Sequence, residues 1–427
     1  MITKTCRSGA ICGLKPAVLM LPHVDREVFG TLKNCFAIFG APKMHAFLSV
    51  NNCALKCGVL DPAQFLITIV GAGPAGAFAG HLLARKGCKV EIYEEHKDVG
   101  SPVQCTGLVT GSINKILEID KRCIINKIDK VRIYSPDRRF ISLKFREKNI
   151  ILDRKRFDRF LADKAVKSGA KILLRHKVLG YDGKTLTIKD IGKNRLIRIK
   201  NSLVIGADGP NSIISKSFNS RKRRCWIGLQ YRVKYNNDNA IEFYPFIGTF
   251  LWIVPENRTT ARIGIVGNKD INHILDRFLQ KRIGKDFRKK IIERQAGLIP
   301  RFDPLLKLQH KRAFLVGDAA SLVKATTAGG IIQSLESSKI LADSILYRKN
   351  YSRQLKKKVC KDLLAHLYMR KMMDKFNEKD WRRLVRCFSS PKMRKILEEI
   401  DRDHSVKMAS KLLIKNPRLI YFLRYII

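Results

Sequence analysis

Gly71-Ala72-Gly73-Pro74-Ala75-Gly76 stands between an apolar, β-branched run at 66–70 and a helix-forming stretch from Ala75 to Arg85. Glycines at this spacing suit a diphosphate. Gly71 permits a tight turn, Gly73 lets the backbone approach the phosphates, and Gly76 lets the helix pack on the strand. Unpaired N–H groups at the helix start, that of Ala75 among them, then face the negative charge. A second strand, Lys89 to Tyr93, ends in Glu94, about 20 residues further on. A carboxylate there can hold ribose hydroxyls and disfavours a 2′-phosphate. These residues alone specify a dinucleotide.

Two later segments narrow the ligand. One is Val204-Ile205-Gly206-Ala207-Asp208-Gly209. The other runs from Phe314-Leu315-Val316-Gly317-Asp318 to Gly329-Gly330-Ile331, and reads as a buried strand, an acidic turn and a helix start. Asp318 can accept hydrogen bonds from a ribityl chain. The amides of Gly330 and Ile331 would aim at a flavin pyrimidine edge and stabilise the negative charge of the reduced ring. With all three segments in this order, the implied cofactor is FAD.

The elements that must position these groups follow from periodicity. The pattern predicts βαβ to about residue 94, a helix near 111–118, and paired strands at 129–135 and 139–145. Arg154 to Ser168 reads as a helix with Phe157, Phe160, Leu161 and Ala165 on one stripe. Strands at 171–178 and 203–207 return to the first domain. Helices are expected near 271–281 and 285–295, and a helical, basic region beyond 330. The expected class is α/β: a Rossmann-type FAD-binding domain, an interleaved β-rich substrate domain and a helical C-terminal region. In residues, 65–350 form the discontinuous FAD-binding domain, with substrate-facing β segments near 129–150 and 225–268, and 351–427 the basic helical part. Residues 1–64 carry seven Lys/Arg, three Asp/Glu and five of the eleven cysteines. They read as an appendage or as translation from an over-early start codon.

Bulk composition sets further bounds. Lys and Arg number 84 against 37 Asp and Glu, a formal +47, which favours acidic partners. The basic residues are spread, with one block at Arg221-Lys222-Arg223-Arg224, and without an aromatic-interleaved platform no nucleic-acid partner is expected. Cys53 and Cys57 lack a second pair, so no metal site is expected. The uncharged run from Phe65 to Ala84 is explained by the glycine-rich loop rather than by a membrane span. A reducing, cytoplasmic compartment is implied.

With these motifs assembled, the chain from 65 to about 350 resembles the geranylgeranyl reductase family, and within it the archaeal digeranylgeranylglycerophospholipid reductases. Four stretches carry the likeness: Glu94 to Gly100 with Pro102 to Leu108; Asp153-Arg154 with Phe157-Asp158; Gly248 to Pro255; and Gly317 to Ile331. The resemblance implies the fold of p-hydroxybenzoate hydroxylase and glutathione reductase. It implies FAD held by Ala75, Glu94, Cys105, Thr106, Leu108, Arg154, Val178 (through its backbone), Asp318, Gly330 and Ile331. The chain departs from the family at Ala325, where proline is usual, at Ala328, where glycine is usual, and at Phe250, where Tyr-X-Trp begins with tyrosine.

The chemistry so implied is saturation of isoprenoid double bonds in membrane-lipid precursors. Protonation of one alkene carbon would be coupled to hydride delivery from flavin N5 to the other, in a dry apolar tunnel. Cys105 and Trp252 are the candidate catalytic residues; a bound water is the other candidate acid. Each has a plainer reading: Cys105 as a small buried hydrophobe, Trp252 as core, and Arg154 as a partner of Asp158 at helical spacing. No second glycine-rich unit for NAD(P)H is evident, so electrons would come from a ferredoxin or from transiently bound NAD(P)H. The basic surface suits an anionic membrane, with Leu419 to Ile427 lying in the interface, and places the protein peripherally on the inner face of the cell membrane. The competing functions are an FAD monooxygenase or halogenase of the same fold, and a basic binding protein with a relict flavin fold.

Overall fold

A computed structural model describes residues 66–200, 203–400 and 403–426. The expectations for 1–64 lie outside the described residues. Three sheets organise the rest. The first has six strands in the order Gln309–His310, Ala313–Leu315, Leu203–Gly206, Leu66–Val70, Lys89–Tyr93 and Lys171–Leu173. All neighbours are parallel except the first pair. Leu66–Val70 is central, and Ile67 to Val70 are all buried, which is why that strand reads as a continuous apolar run rather than an alternation. Because Leu66–Val70, Leu203–Gly206 and Ala313–Leu315 run in parallel, their carboxyl ends bring the three glycine segments together.

The second sheet has eight strands: Ile291–Pro300, Cys225–Lys234, Thr260–Gly267, Phe250–Asn257, Ile241–Tyr244, Ile124–Tyr134, Phe140–Leu152 and Leu108–Val109. A parallel pairing of Ile241–Tyr244 with Ile124–Tyr134 joins its two halves. Side chains alternate across it with period two. Leu251 and Ile253 pack with Leu275 and Leu279 of the helix Ile271–Ile283. Phe250, Trp252 and Val254 point to the opposite face, with Ala325.

Three sequence expectations require correction. The stretch 171–178 is two strands, because the chain turns at Arg175 (φ 59°) and His176–Tyr181 enters a third sheet with Thr185–Asp190 and Arg195–Lys200. The helix expected at 285–295 is a short turn, Lys285–Lys290, followed by the strand Ile291–Pro300. Gly284 (φ 112°) ends the preceding helix, and the open edge of Cys225–Lys234 offers ten residues of backbone partners that outweigh weak local preference. The helix near 111–118 shortens to a 3₁₀ turn, Gly111–Lys115.

Beyond Ile331–Leu346 the chain is helical, with Tyr351–Leu355, Lys361–Met373, Glu378–Phe388, Pro391–Glu399 and Ser405–Lys415. Leu419 and Phe422, expected at a membrane interface, are buried with Met393 and Leu412 in a core of this region. Among the described residues no helix is long and apolar enough to cross a membrane.

Candidate active site

Every predicted site residue except Gly76 lines one cavity of about 860 Å³, near the upper end of the roughly 300–1,000 Å³ usual for small-molecule sites. Gly76 lies behind it. A Cβ there would fall 2.0 Å from the Gly71 carbonyl oxygen, so its role is close packing of helix on loop. Gly71 has φ +96°, and a Cβ would lie 2.5 Å from the Ala207 carbonyl oxygen; here the first two glycine segments touch. Gly73 is different. Its φ is −65° and nothing stands within 4 Å of a Cβ. The protein's own packing does not require glycine at that position, whereas a diphosphate laid on the loop does. That clearing, at the start of the helix Pro74–Ala84, fits FAD.

Glu94 is built into the loop it faces. Its Oε2 accepts from the Ala72 N–H at 2.8 Å, and its Oε1 accepts from the His96 N–H at 3.0 Å, with the His96 ring at 2.6 Å. A carboxylate has about four acceptor sites, so one remains on Oε2 for a ribose hydroxyl. Val178, buried beside it on His176–Tyr181, is brought near by the bond from the His176 N–H to the Glu94 carbonyl.

Midway along the cavity, Cys105 Sγ accepts from the Gly107 N–H at 3.3 Å. Arg154 donates to both Asp158 oxygens at 2.9 and 2.8 Å. Burial opposes the Arg154 charge, but Asp158 and the neighbouring Cys105 outweigh it and hold the guanidinium proton more tightly than usual. The helical-spacing pair and the cavity position thus coexist. Asp318 opens the turn Gly317–Ala320; burial pushes its carboxyl up, against the pull of Arg154 and Arg223. Gly330 caps the helix Ile331–Leu346, whose first amides face the cavity with Ile331.

At the other end, Trp252 and Phe250 form an aromatic pair with centroids 5.4 Å apart. Gly264, opposite Trp252 on the adjacent strand, makes room for the indole: a Cβ would lie 2.3 Å from the ring. The buried Trp252 Nε1 has no hydrogen-bond partner, an exception in a folded interior that a polar group of a ligand or a water would satisfy.

Several contributors were not legible beforehand. Gln295, Leu298 and Ile299 line the cavity from the strand Ile291–Pro300, of which only the first half was read as a helix. Arg262, fixed by Glu256 at 2.7 Å, donates to the Thr106 carbonyl at 2.6 Å, while the Thr106 hydroxyl donates to Gln230 at 2.7 Å. Arg223, from the basic block, is no surface charge: it donates to the carbonyls of Asp318 at 2.6 Å and Ala319 at 2.8 Å. Asp208 of the second segment accepts from Ser212 and the Ile213 N–H, bracing a loop that itself lines the cavity. Only a polar pattern at strand spacing hinted at Gln230 and Arg262, and nothing in composition distinguishes Arg223 from its neighbours.

The FAD binding domain family matches residues 64–226. A digeranylgeranylglycerophospholipid reductase of Methanothrix thermoacetophila is 24% identical over 405 residues, covering 84% of this chain and 99% of that protein. Digeranylgeranylglycerophospholipid reductase 3 of Methanosphaera stadtmanae is 30% identical over 331 residues, covering 70% and 83%. Among solved structures, a geranylgeranyl bacteriochlorophyll reductase-like protein of Thermoplasma acidophilum superposes with a TM-score of 0.71 at 23% identity, covering 85% and 99%. A flavin-dependent halogenase gives 0.62 at 16%, covering 84% and 78%; that likeness shows the fold alone. The glycine segments converge on one cavity and identity is sustained along the chain: this FAD-dependent oxidoreductase belongs to the digeranylgeranylglycerophospholipid reductase family.

Proposed function

We propose that the chain saturates isoprenoid double bonds of membrane-lipid precursors. The observation that carries this reading is the continuity of the cavity, which extends from the loop Gly71 to Ala75 to the apolar sheet face bearing Trp252. One chamber can therefore serve a dinucleotide and a chain-shaped apolar substrate. Bound and reduced, FAD supplies the hydride. Ala75, Glu94, Asp318, Gly330 and Ile331 are the residues that would hold it. Phe243, Phe250, Trp252 and Val254 line the apolar end, where they would align the alkene and exclude water. Cys105 Sγ lies on the cavity wall beside the Gly107 amide and Arg154, and would be the candidate proton donor to the alkene, with a bound water as the other. The test is anaerobic incubation of the reduced protein with a geranylgeranylated glycerophospholipid. Mass analysis should show two hydrogens gained per double bond, with the flavin oxidised in step. Unchanged lipid would refute this reading, and oxygen incorporation on admitting air to that sample would put the monooxygenase one in its place.

The partners follow from charge. Between 351 and 427 there are 21 Lys/Arg and 8 Asp/Glu, and each cation near an anionic surface contributes about 1 kcal/mol. We infer peripheral attachment to an anionic bilayer, with a ferredoxin or NAD(P)H as the electron donor. Leu419 and Phe422 are buried, which leaves Ile420 and Ile426 as the exposed apolar side chains among the described residues of that segment, so charge supplies the larger part of the attachment and apolar contact the smaller. Cosedimentation with anionic vesicles should therefore fall steeply as salt rises, the Debye length being about 8 Å already at physiological strength. A large salt-resistant fraction would contradict this.

A further inference from the structure

The loop from Lys324 to Gly330, which delivers the Gly330 and Ile331 amides to the cavity, is held by groups of the C-terminal helical region. Lys324 is a charged side chain only 10% exposed, and its Nζ lies 2.6 Å from Oδ1 of Asp403, itself 8% exposed. Asp403 also accepts from Gln333 at 2.9 Å, Thr110 at 2.7 Å and Ser112 at 3.2 Å. A second tie joins the Thr326 hydroxyl to the His366 ring at 2.7 Å. Between these anchors and the helix lies Ala328 at φ 53°. That is the left-handed region, which glycine enters freely and a residue with a Cβ does not. The loop's own bonds, Lys324 N–H to the Gly329 carbonyl and Ala328 N–H to the Lys324 carbonyl, close the turn around the strained residue.

We propose that the C-terminal helical region acts as a clamp, in which Asp403 on Lys324 and His366 on Thr326 hold this loop in a conformation its own sequence disfavours. Asp403 and His366 are positioning residues: they touch the loop, and the loop presents the helix N-terminus to the cofactor. The Asp403 carboxyl is suited to this. Burial would raise it, but Lys324 and its hydroxyl and amide donors hold it well below the usual carboxylate range, so the pair stays charged. Strain at Ala328 is then sustained by contacts made far along the chain.

The inference rests on the FAD reading, and its test separates the two. FAD affinity is measured by flavin fluorescence for the parent, Asp403→Asn, Thr326→Val, Ala328→Gly and the two doubles carrying Ala328→Gly. Asp403→Asn should weaken binding about tenfold or more, since a charge-assisted anchor is lost. Thr326→Val should weaken it by roughly threefold. Ala328→Gly alone should bind at least as tightly as the parent. In each double it should recover most of the lost affinity, because glycine adopts the left-handed conformation without a clamp. Rescue is the signature that a merely structural role would not produce. Parent-like affinity in both single variants, or no rescue in either double, overturns the clamp. If Asp403→Asn is insoluble, the Thr326→Val arm decides alone. A parent protein without affinity for FAD would overturn the cofactor reading itself.

Discussion

Alanine at Gly73 is expected to leave the fold intact and strip the protein of its flavin. The residue has φ −65°, which any L-residue adopts, and an added Cβ meets nothing within 4 Å. Thermal unfolding of the flavin-free protein should therefore match the parent. The methyl instead enters the space reserved for the diphosphate, and overpacking of that kind costs about 1–3 kcal/mol, or roughly 5- to 150-fold in affinity. Gly76→Ala is the contrasting control. There the Cβ would lie 2.0 Å from the Gly71 carbonyl oxygen, so both the fold and the flavin should be lost. Equilibrium dialysis with FAD and scanning calorimetry read the two variants. Should Gly73→Ala retain FAD with parent affinity, the diphosphate does not lie on this loop.

Glu94→Ala should produce a compound loss. A ribose hydroxyl bonded to the carboxylate would contribute about 1.5–3 kcal/mol, and that disappears. So do the acceptors for the Ala72 and His96 amides, which brace the loop before any ligand arrives. Unlike Gly73→Ala, this variant should therefore unfold at a lower temperature even without flavin, as well as bind FAD roughly tenfold or more weakly. Glu94→Gln keeps an acceptor oxygen and should recover part of the stability but little of the affinity. Unchanged flavin-free stability in Glu94→Ala would show that the buried bonds to Ala72 and His96 do not hold the loop.

The local code for a strand, a glycine turn and a helix was readable at 66–85 because each step depends on near neighbours. Gly71, Gly73 and Gly76 sit where their spacing placed them. The continuous apolar run Phe250 to Val254 likewise announced a strand, buried on both faces. Ile291–Pro300 was not readable. Its short run of mixed polarity suits helix or strand, and the choice was made by the edge of Cys225–Lys234, some sixty residues earlier in the chain. The same limit hid the roles of charged groups. Arg223 looks like any member of a basic block until the turn at Asp318 folds against it. Asp403 and Lys324 lie 79 residues apart, and no spacing rule links them. Leu419 and Phe422 advertise an apolar face, but only packing decides whether lipid or Met393 and Leu412 covers it. What the sequence alone determined was the cofactor's cradle, written in local backbone requirements. What the tertiary structure decided was which distant side chains hold that cradle in shape, because the energy of a buried charge pair or an apolar contact depends on what the fold brings beside it.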